Sequence, residues 1–448
     1  MLTDVIAAIS TPPGRSGIAL LRVSGVGAHQ VAASVMPAFE AEPLRTARLS
    51  PVKHPGTGEL LDEAIYLTYG APSSYTGEDM VEVSTHGGLL VPAEVLGALF
   101  AAGARQAAPG EFTRRALANG KVDLLQAEAV ADLIESTAPA QRRSALHQLD
   151  RGLSRRIGDL RDQVLELEAL VSYEIDFPEE DSGPIPPEQV SQAAAELERE
   201  LGALIGTAQE GERLREGALA VVAGRPNAGK SSLFNALLGS ERAIVTQIPG
   251  TTRDAIEAPA SCGGFPFRLI DTAGLRSTDD TIERLGIEVS RRYLDAADIV
   301  IFCAEAGREL TDEERAFVAE TVAPVLVVRT KADLARESHT LTDSDMAVSV
   351  ETGEGIPELR SRLAEHAFTT LAGKTDVEPL VTRERHRTAL ERALAEVRSF
   401  ALARSEGLEA AAAATHLRAA VTALEDVIGL VTGEDVLERV FERFCVGK

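Results

Sequence analysis

The spacing of apolar residues changes character along the chain. Up to about residue 119, short runs rich in Val, Ile and Leu (Ile18 to Val23, Ala64 to Thr68, Met80 to Val83) are separated by Gly/Pro turns such as Pro12-Pro13-Gly14 and Pro55-Gly56. Runs of that length bounded by turn formers predict strands, so this part reads as an α+β domain. Beyond Lys121 the pattern becomes helical. Leu146, Leu149, Leu153, Ile157, Leu160, Val164, Leu167 and Val171 recur at spacings of three and four, which places them on one face of a long helix, as in a core or bundle stripe. The segment from Asp176 to Pro187 carries four prolines and an acidic cluster and reads as a loop; a second helix follows with Val190, Leu197, Leu201 and Leu204 on its apolar side.

A third pattern then interrupts the helices. Apolar runs at Ala218 to Ala223, Phe267 to Ile270, Ile299 to Phe302 and Val325 to Val328 alternate with helical stretches, the arrangement of a doubly wound, mostly parallel sheet. After about Lys374 an Ala-rich helical pattern resumes through Leu390, Leu394, Val397, Leu417, Val421, Leu424 and Ile428. The expected architecture is therefore multidomain α/β and α: an α+β domain at 1–119, a discontinuous helical domain at 120–216 plus 373–448, and an α/β domain at 217–372 inserted into it.

Composition narrows the function. The 448 residues carry 45 basic and 69 acidic side chains, net −24, which excludes a globally basic nucleic-acid coat and leaves only local contacts. By segment the balance is −3 for 1–119, −11 for 120–216, −8 for 217–372 and −2 for 373–448, so the acidity lies mainly in the middle. No apolar run reaches the ~18 residues of a membrane helix, and the amino terminus has no basic leader pattern, so a cytoplasmic protein is expected. Cys262, Cys303 and Cys445 are far apart and lack zinc spacing, which argues against a disulfide framework or structural zinc. Only six lysines stand against 39 arginines, so each lysine is a departure from the chain's usual cation.

The strongest motif is Gly224-Arg225-Pro226-Asn227-Ala228-Gly229-Lys230-Ser231, a P-loop between an apolar strand and the helix Ser232 to Leu238. Backbone N–H groups of such a turn cradle phosphates, Lys230 supplies a point charge to the β and γ groups, and Ser231 offers its hydroxyl to Mg²⁺. Asp271-Thr272-Ala273-Gly274 ends a later strand, where the carboxylate can hold Mg²⁺ through water and the Gly274 N–H can meet a γ-phosphate. Thr330-Lys331-Ala332-Asp333 follows another strand. Asp333 there can accept hydrogen bonds from N1 and the exocyclic amine of guanine, which adenine cannot supply. Thr330 replaces the usual Asn and lacks its amide, with some affinity or packing expected to be lost. Ser349-Val350-Glu351 would close over the base. Leu275 occupies the place where a Ras-like enzyme carries its water-orienting Gln, so that group must come from elsewhere.

These motifs, together with Gly250-Thr251-Thr252-Arg253-Asp254, the start Ser10-Thr-Pro-Pro-Gly-Arg15, the stretches Pro109 to Thr113 and Asn119 to Glu128, and the end Cys445-Val446-Gly447-Lys448, resemble the tRNA-modification GTPase MnmE (TrmE) family along essentially the whole chain. Members usually end Cys-Ile-Gly-Lys, so Val446 is a departure.

The resemblance implies a tetrahydrofolate-binding and dimerising N-terminal domain, the split helical domain, an inserted TrmE-type, Ras-like P-loop G domain, and a homodimer. It implies a flavoprotein partner, MnmG, joined as a heterotetramer, with tRNA as substrate and no membrane. The implied reaction adds a carboxymethylaminomethyl or aminomethyl group to C5 of the wobble uridine (U34) with a one-carbon unit from 5-formyl- or 5,10-methylene-tetrahydrofolate. It further implies that Thr246, Gln247, Ile248, Pro249, Gly250, Thr251 and Thr252 join the GTP site. Asn227, Thr246, Ile248 and Thr251 would hold K⁺, Thr252 would join Ser231 on Mg²⁺, and Glu283 would orient water indirectly, so that Glu283, Asn227 and Lys230 form the catalytic set. Arg22, Glu82, Lys121 and Lys448 would bind folate, whose glutamate tail needs cations and whose pterin needs a carboxylate. Cys445 would be a candidate for modification chemistry or redox behaviour, a buried or merely terminal thiol being the alternative.

Two other readings stay open from the residues alone: a ribosome-assembly GTPase of the Era-like group, which needs an RNA-binding appendage such as a KH domain, and a nucleotide-gated scaffold. A local tRNA contact is expected, if anywhere, at Arg383, Arg385, His386 and Arg387, the densest basic cluster of the last segment, against the alternative of a solvated face.

Overall fold

The runs at Ile18, Ala64 and Met80 become adjacent strands. In the computed structural model, which describes residues 4–176, 186–239, 257–271, 292–334, 345–373, 379–442 and 444–448, the chain groups into two compact units. The first comprises residues 1–131 and 425–448, the second residues 132–424.

The first unit contains β1 (Ile6–Ile9), β2 (Ile18–Ser24), α1 (Ala28–Val35), β3 (Arg48–Lys53), β4 (Leu60–Tyr69), β5 (Met80–His86), α2 (Leu90–Ala101), β6 (Arg105–Gln106), α3 (Glu111–Ala118) and the start of α4 (Leu124–Glu135). The strands form one sheet in the order β3-β4-β5-β2-β1-β6, antiparallel except for the β1–β6 pair. Side chains alternate between its faces. Leu21, Val23, Val81, Val83, Ala64 and Tyr66 face a core closed by Val31 and Val35 of α1 and Val95 and Leu99 of α2. The intervening residues Arg22 and Glu82, opposite each other in the β2–β5 register, take the other face.

The second unit contains α5 (Pro139–Leu149), α6 (Gly152–Asp176), α7 (Pro187–Gly206), α8 (Ala208–Glu216), β7 (Ala218–Gly224), α9 (Lys230–Leu238), β8 (Glu257–Cys262), β9 (Phe265–Asp271), β10 (Ile299–Glu305), α10 (Asp312–Glu320), β11 (Val325–Thr330), β12 (Met346–Ala347), α11 (Ile356–Ala367), α12 (Glu384–Ser405) and most of α13 (Ala410–Ile428). The last helix, α14 (Glu434–Phe441), returns to the first unit. The second sheet runs β12-β11-β10-β7-β9-β8, parallel except for β8. Strands β7 and β10 are buried almost throughout, as a parallel sheet covered on both faces requires. The order reverses beside β7, and crevices beyond strand ends at such a point are where doubly wound sheets bind ligands.

One sequence expectation is corrected. The stripe from Leu146 to Val171 is not a single helix: the chain breaks between Leu149 and Gly152, with Arg151 at φ 62°. Leu146 is left exposed, while Leu153, Ile157, Leu160, Val164, Leu167 and Val171 are buried along α6. A Cβ at Gly152 would lie 2.1 Å from the His147 ring, so a side chain there would have to displace that ring. Most of the expected loop, residues 177–185, lies outside the described residues.

Candidate functional site

The P-loop leaves β7 and enters α9 through backbone conformations its sequence permits. Gly224 has φ 135°, and a Cβ there would stand 2.3 Å from the Cys303 carbonyl of β10. Asn227 (φ 63°) and Gly229 (φ 80°) take left-handed conformations, and Gly229 is the residue before α9. A turn of this kind followed by a helix start presents N–H groups to one point, a concavity that fits phosphate. Lys230 is buried and donates from Nζ to the Arg225 carbonyl at 2.7 Å, folded back over the loop. Ser231 Oγ donates to Asp271 Oδ2 at 2.8 Å, so the hydroxyl and the carboxylate from β9 already share one position. That pair of hard oxygens suits Mg²⁺. Underneath, burial pushes the Cys303 thiol up to about 12, which makes it a packing residue and not a nucleophile.

The ends of β11 and β12 supply the second half of the site. Asp333 follows β11 in a short 3₁₀ turn (Ala332–Leu334), and its Oδ1 accepts from Ser349 Oγ at 2.6 Å. The Ala332 N–H bonds to the Val348 carbonyl at 3.1 Å, which binds the two loops together. Ser349 is fully buried, its hydroxyl also accepting from the Thr352 N–H at 3.2 Å; Val350 and Glu351 are exposed. Lys331, at φ 58°, pairs with Glu305 at the end of β10. Thr330 is buried, and its hydroxyl donates to the Ala228 carbonyl of the P-loop at 2.8 Å. The missing amide therefore does not leave the base loop and the phosphate loop unconnected.

Of the expected nucleotide and cation residues, Asn227, Ala228, Gly229, Lys230, Ser231, Ser232, Asp271, Thr330, Lys331, Asp333, Ser349, Val350 and Glu351 are described, all at the same edge of the second sheet or the loops beyond it. Thr246, Gln247, Ile248, Pro249, Gly250, Thr251, Thr252, Thr272, Ala273, Gly274 and Glu283 lie outside the described residues.

A second cluster forms on the other face of the first sheet, where Arg22 and Glu82 are largely buried. Arg22 Nε donates to Glu82 Oε1 at 2.8 Å, and Arg22 Nη1 to the Gly447 carbonyl at 3.2 Å. The tail reaches this place because Val446 pairs with Pro109, the Gly110 N–H bonds to the Cys445 carbonyl at 3.4 Å, and Ser10 Oγ donates to the Gly447 carbonyl at 3.0 Å. Gly447 sits at φ 96°, and a Cβ there would stand 2.7 Å from the Ile9 carbonyl, so the fit requires glycine. Burial, and then the Arg22 charge, hold the Lys448 amine below the usual lysine range. Lys121 lies farther along: its Nζ donates to the Pro72 carbonyl at 2.9 Å, beside the loop that carries Tyr75. The Arg22 guanidinium stands 6.0 Å from the centre of the Tyr75 ring. Cys445 is exposed.

Two members of this cluster escaped the sequence. Tyr69 donates to Glu82 Oε2 at 3.1 Å, and burial raises its phenol above the ordinary value, with the Glu82 charge adding to the effect. Tyr75 is bonded to Thr113 Oγ1 at 2.8 Å and supplies an aromatic face. No local pattern singles them out among the five tyrosines of the chain, and they join Glu82 and Arg22 only in the fold.

The basic cluster of α12 proves different from its sequence appearance. His386 is fully buried, Arg383 donates to Asp132 at 2.6 Å, and Arg387 lies 3.4 Å from Glu212. Arg383 and His386 are thus drawn into the second unit, where burial demands partners, while Arg387 keeps 40% of its side chain exposed. Among the described residues no helix is long and apolar enough to cross a membrane.

A phosphate-cradling loop at the switch point of a doubly wound sheet, with a hydroxyl–carboxylate pair beside it and an acidic acceptor at the far strand end, defines a P-loop nucleotide-binding protein of the guanine-reading type. Comparison with known proteins goes further. The family model for the GTP-binding protein TrmE N-terminus matches residues 5–121, and that for the MnmE helical domain matches residues 124–445. The proteins named tRNA modification GTPase MnmE from Heliobacterium modesticaldum and Moorella thermoacetica are 40% and 41% identical to the chain, each alignment covering 100% of both partners. The chain belongs to the MnmE family.

Proposed function

We propose that the chain is a potassium-dependent GTP hydrolase that acts in tRNA modification. In this reading it works with a flavoprotein partner, MnmG, to add a carboxymethylaminomethyl or aminomethyl group to C5 of the wobble uridine. The observation that carries the reading is the shared position of Ser231 and Asp271 at the mouth of a P-loop whose other strand end presents Asp333. Lys230, released from the Arg225 carbonyl, would meet the β and γ phosphates. Ser231 and Asp271 would hold Mg²⁺, directly and through water, and Asp333 would accept from the guanine edge, with Ser349 fixing the carboxylate. Mg²⁺ and K⁺, when bound, neutralise charge developing on the phosphates. Asn227 would contribute to the K⁺ site together with Thr246, Ile248 and Thr251, Thr252 would join the Mg²⁺ site, and Glu283 would orient water.

In this reading residues 1–119 bind a tetrahydrofolate and form the homodimer, 120–216 with 373–448 form the helical domain, and 217–372 form the G domain. The neighbouring Arg22, Glu82 and Lys448 support the folate assignment, with Lys121 toward the anionic tail and Tyr75 offering a ring face. Exposed Leu49 and Ile65, opposite each other on β3 and β4, support an association through this unit. The protein works in the cytoplasm. Full-length membership of the MnmE family weighs against the Era-like alternative. The test is GTP turnover at saturating nucleotide with K⁺ exchanged for Na⁺, alongside mass spectrometry of tRNA nucleosides from a strain lacking the protein. Turnover should fall in Na⁺ and the wobble modification should vanish; equal turnover or unaltered wobble uridines would each remove that part of the reading.

A further inference from the structure

Thr330 stands where three segments meet. Its hydroxyl lies 2.8 Å from the Ala228 carbonyl of the phosphate loop and 3.3 Å from the Ala304 carbonyl of β10. The residue is 2% exposed, so water does not compete for its hydroxyl. Both partners are carbonyl oxygens, which only accept, and a hydroxyl carries a single proton. That proton is committed to the loops. Nothing on Thr330 remains to donate to a bound base.

The consequence is chemical. Asp333 accepts from N–H groups and therefore reads the six-membered ring of guanine. N7, on the imidazole edge, is an acceptor and needs a donor. An asparagine amide in place of Thr330 would carry two protons, enough for a loop carbonyl and N7 together. Resting on the guanine-nucleotide reading above, we infer that Thr330 is a positioning residue that ties the base-reading strand end to the phosphate loop, and that its committed proton leaves the site indifferent to N7 of the purine.

Calorimetry on the full chain with GDP, inosine diphosphate and 7-deazaguanosine diphosphate tests this. GDP and the 7-deaza analogue should bind with dissociation constants within about twofold of each other, whereas inosine diphosphate, which lacks the exocyclic amine, should bind about tenfold more weakly. Thr330→Val, which keeps the shape and leaves the Ala228 carbonyl unpaired, should weaken GDP and the 7-deaza analogue equally by about tenfold, and Thr330→Ser should restore both. Thr330→Asn should open a gap of about fivefold in favour of GDP over the 7-deaza analogue. A wild-type chain that prefers GDP over the 7-deaza analogue by fivefold or more overturns the inference while leaving the guanine reading intact. Unchanged GDP binding in Thr330→Val does the same. Failure of the wild-type chain to bind GDP at all would instead remove the guanine reading and this inference with it.

Discussion

At the nucleotide site the phosphate loop, Lys230 and Ser231 lie within eight consecutive residues, and the strand and helix on either side give them their geometry. On the first sheet, Arg22 meets Glu82 from 60 positions away and the Gly447 carbonyl from 425 positions away. The first arrangement is a local turn that a doubly wound sheet presents wherever it occurs. The second exists only while the chain end lies on the sheet, and it hangs on one glycine, one strand register and the Pro109–Val446 pairing. A local site is robust to distant change; an assembled one reports on the integrity of everything that brings its parts together.

The contrast can be broken most severely at Arg115. This side chain is 1% exposed and bonds Asp4, Glu78 and Glu111 at 2.8 to 3.3 Å, while Glu78 also accepts from Ser24 at the end of the strand that carries Arg22. Arg115→Ala takes a buried cation from Glu78 and Glu111, while Asp4 and Glu111 keep Arg105, and should lower the stability of the first unit by about 3 kcal/mol in urea unfolding. A loss below about 1 kcal/mol would mean that the framework beneath the assembled site is not what holds it.

The local site should fail without the fold failing. Lys230→Ala removes a charged donor to phosphate and should weaken GDP binding by about 10- to 100-fold, with the urea midpoint nearly unchanged. An equal loss of stability and binding would show that the loop is not locally determined.

A smaller effect sharpens the account of how the α/β domain supports its loop. Arg308 holds Glu314 well below the ordinary carboxylate value, at about 2, and Glu314 in turn accepts from the Thr311 N–H that starts α10. A carboxyl depressed on folding stabilises fully above its unfolded value near 4.5 and loses that contribution as pH falls through about 2. Arg308→Ala should therefore cost about 1 to 2 kcal/mol at pH 7, and the difference from wild type should shrink between pH 4.5 and 2. A difference constant across that range would place the contribution elsewhere.

The same contrast explains what was legible in the sequence. The strands at Ile18, Met80, Ala218 and Ile299 and the P-loop could be read because each is a contiguous pattern obeying one periodicity. The helix break at Arg151 could not, since a stripe of apolar spacing continues across a single left-handed residue without losing phase. The cluster around Arg383 looked like an open basic face because counting charges along α12 takes no account of Asp132 and Glu212, which come from other helices. Thr330 looked like a loss because its partner, a backbone carbonyl, has no signature in sequence. Arg22, Glu82 and Lys448 were named through the family resemblance and not through any local pattern; the tyrosines beside them belong to no motif, Tyr69 arriving through the pairing of β4 with β5 and Tyr75 on the loop between those strands.

In the proposed reading the nucleotide site is fixed locally and the folate site is completed by residues 445–448. The most direct measurement is calorimetry of GDP and of 5-formyltetrahydrofolate on the full chain and on a chain ending at Phe444. Removing residues 445–448 should weaken the folate by at least about tenfold, since it takes away the Lys448 cation and the carbonyl that holds Arg22, while GDP binds within about twofold of wild type. Undiminished folate binding by the shortened chain, or a parallel loss of GDP binding, would contradict it.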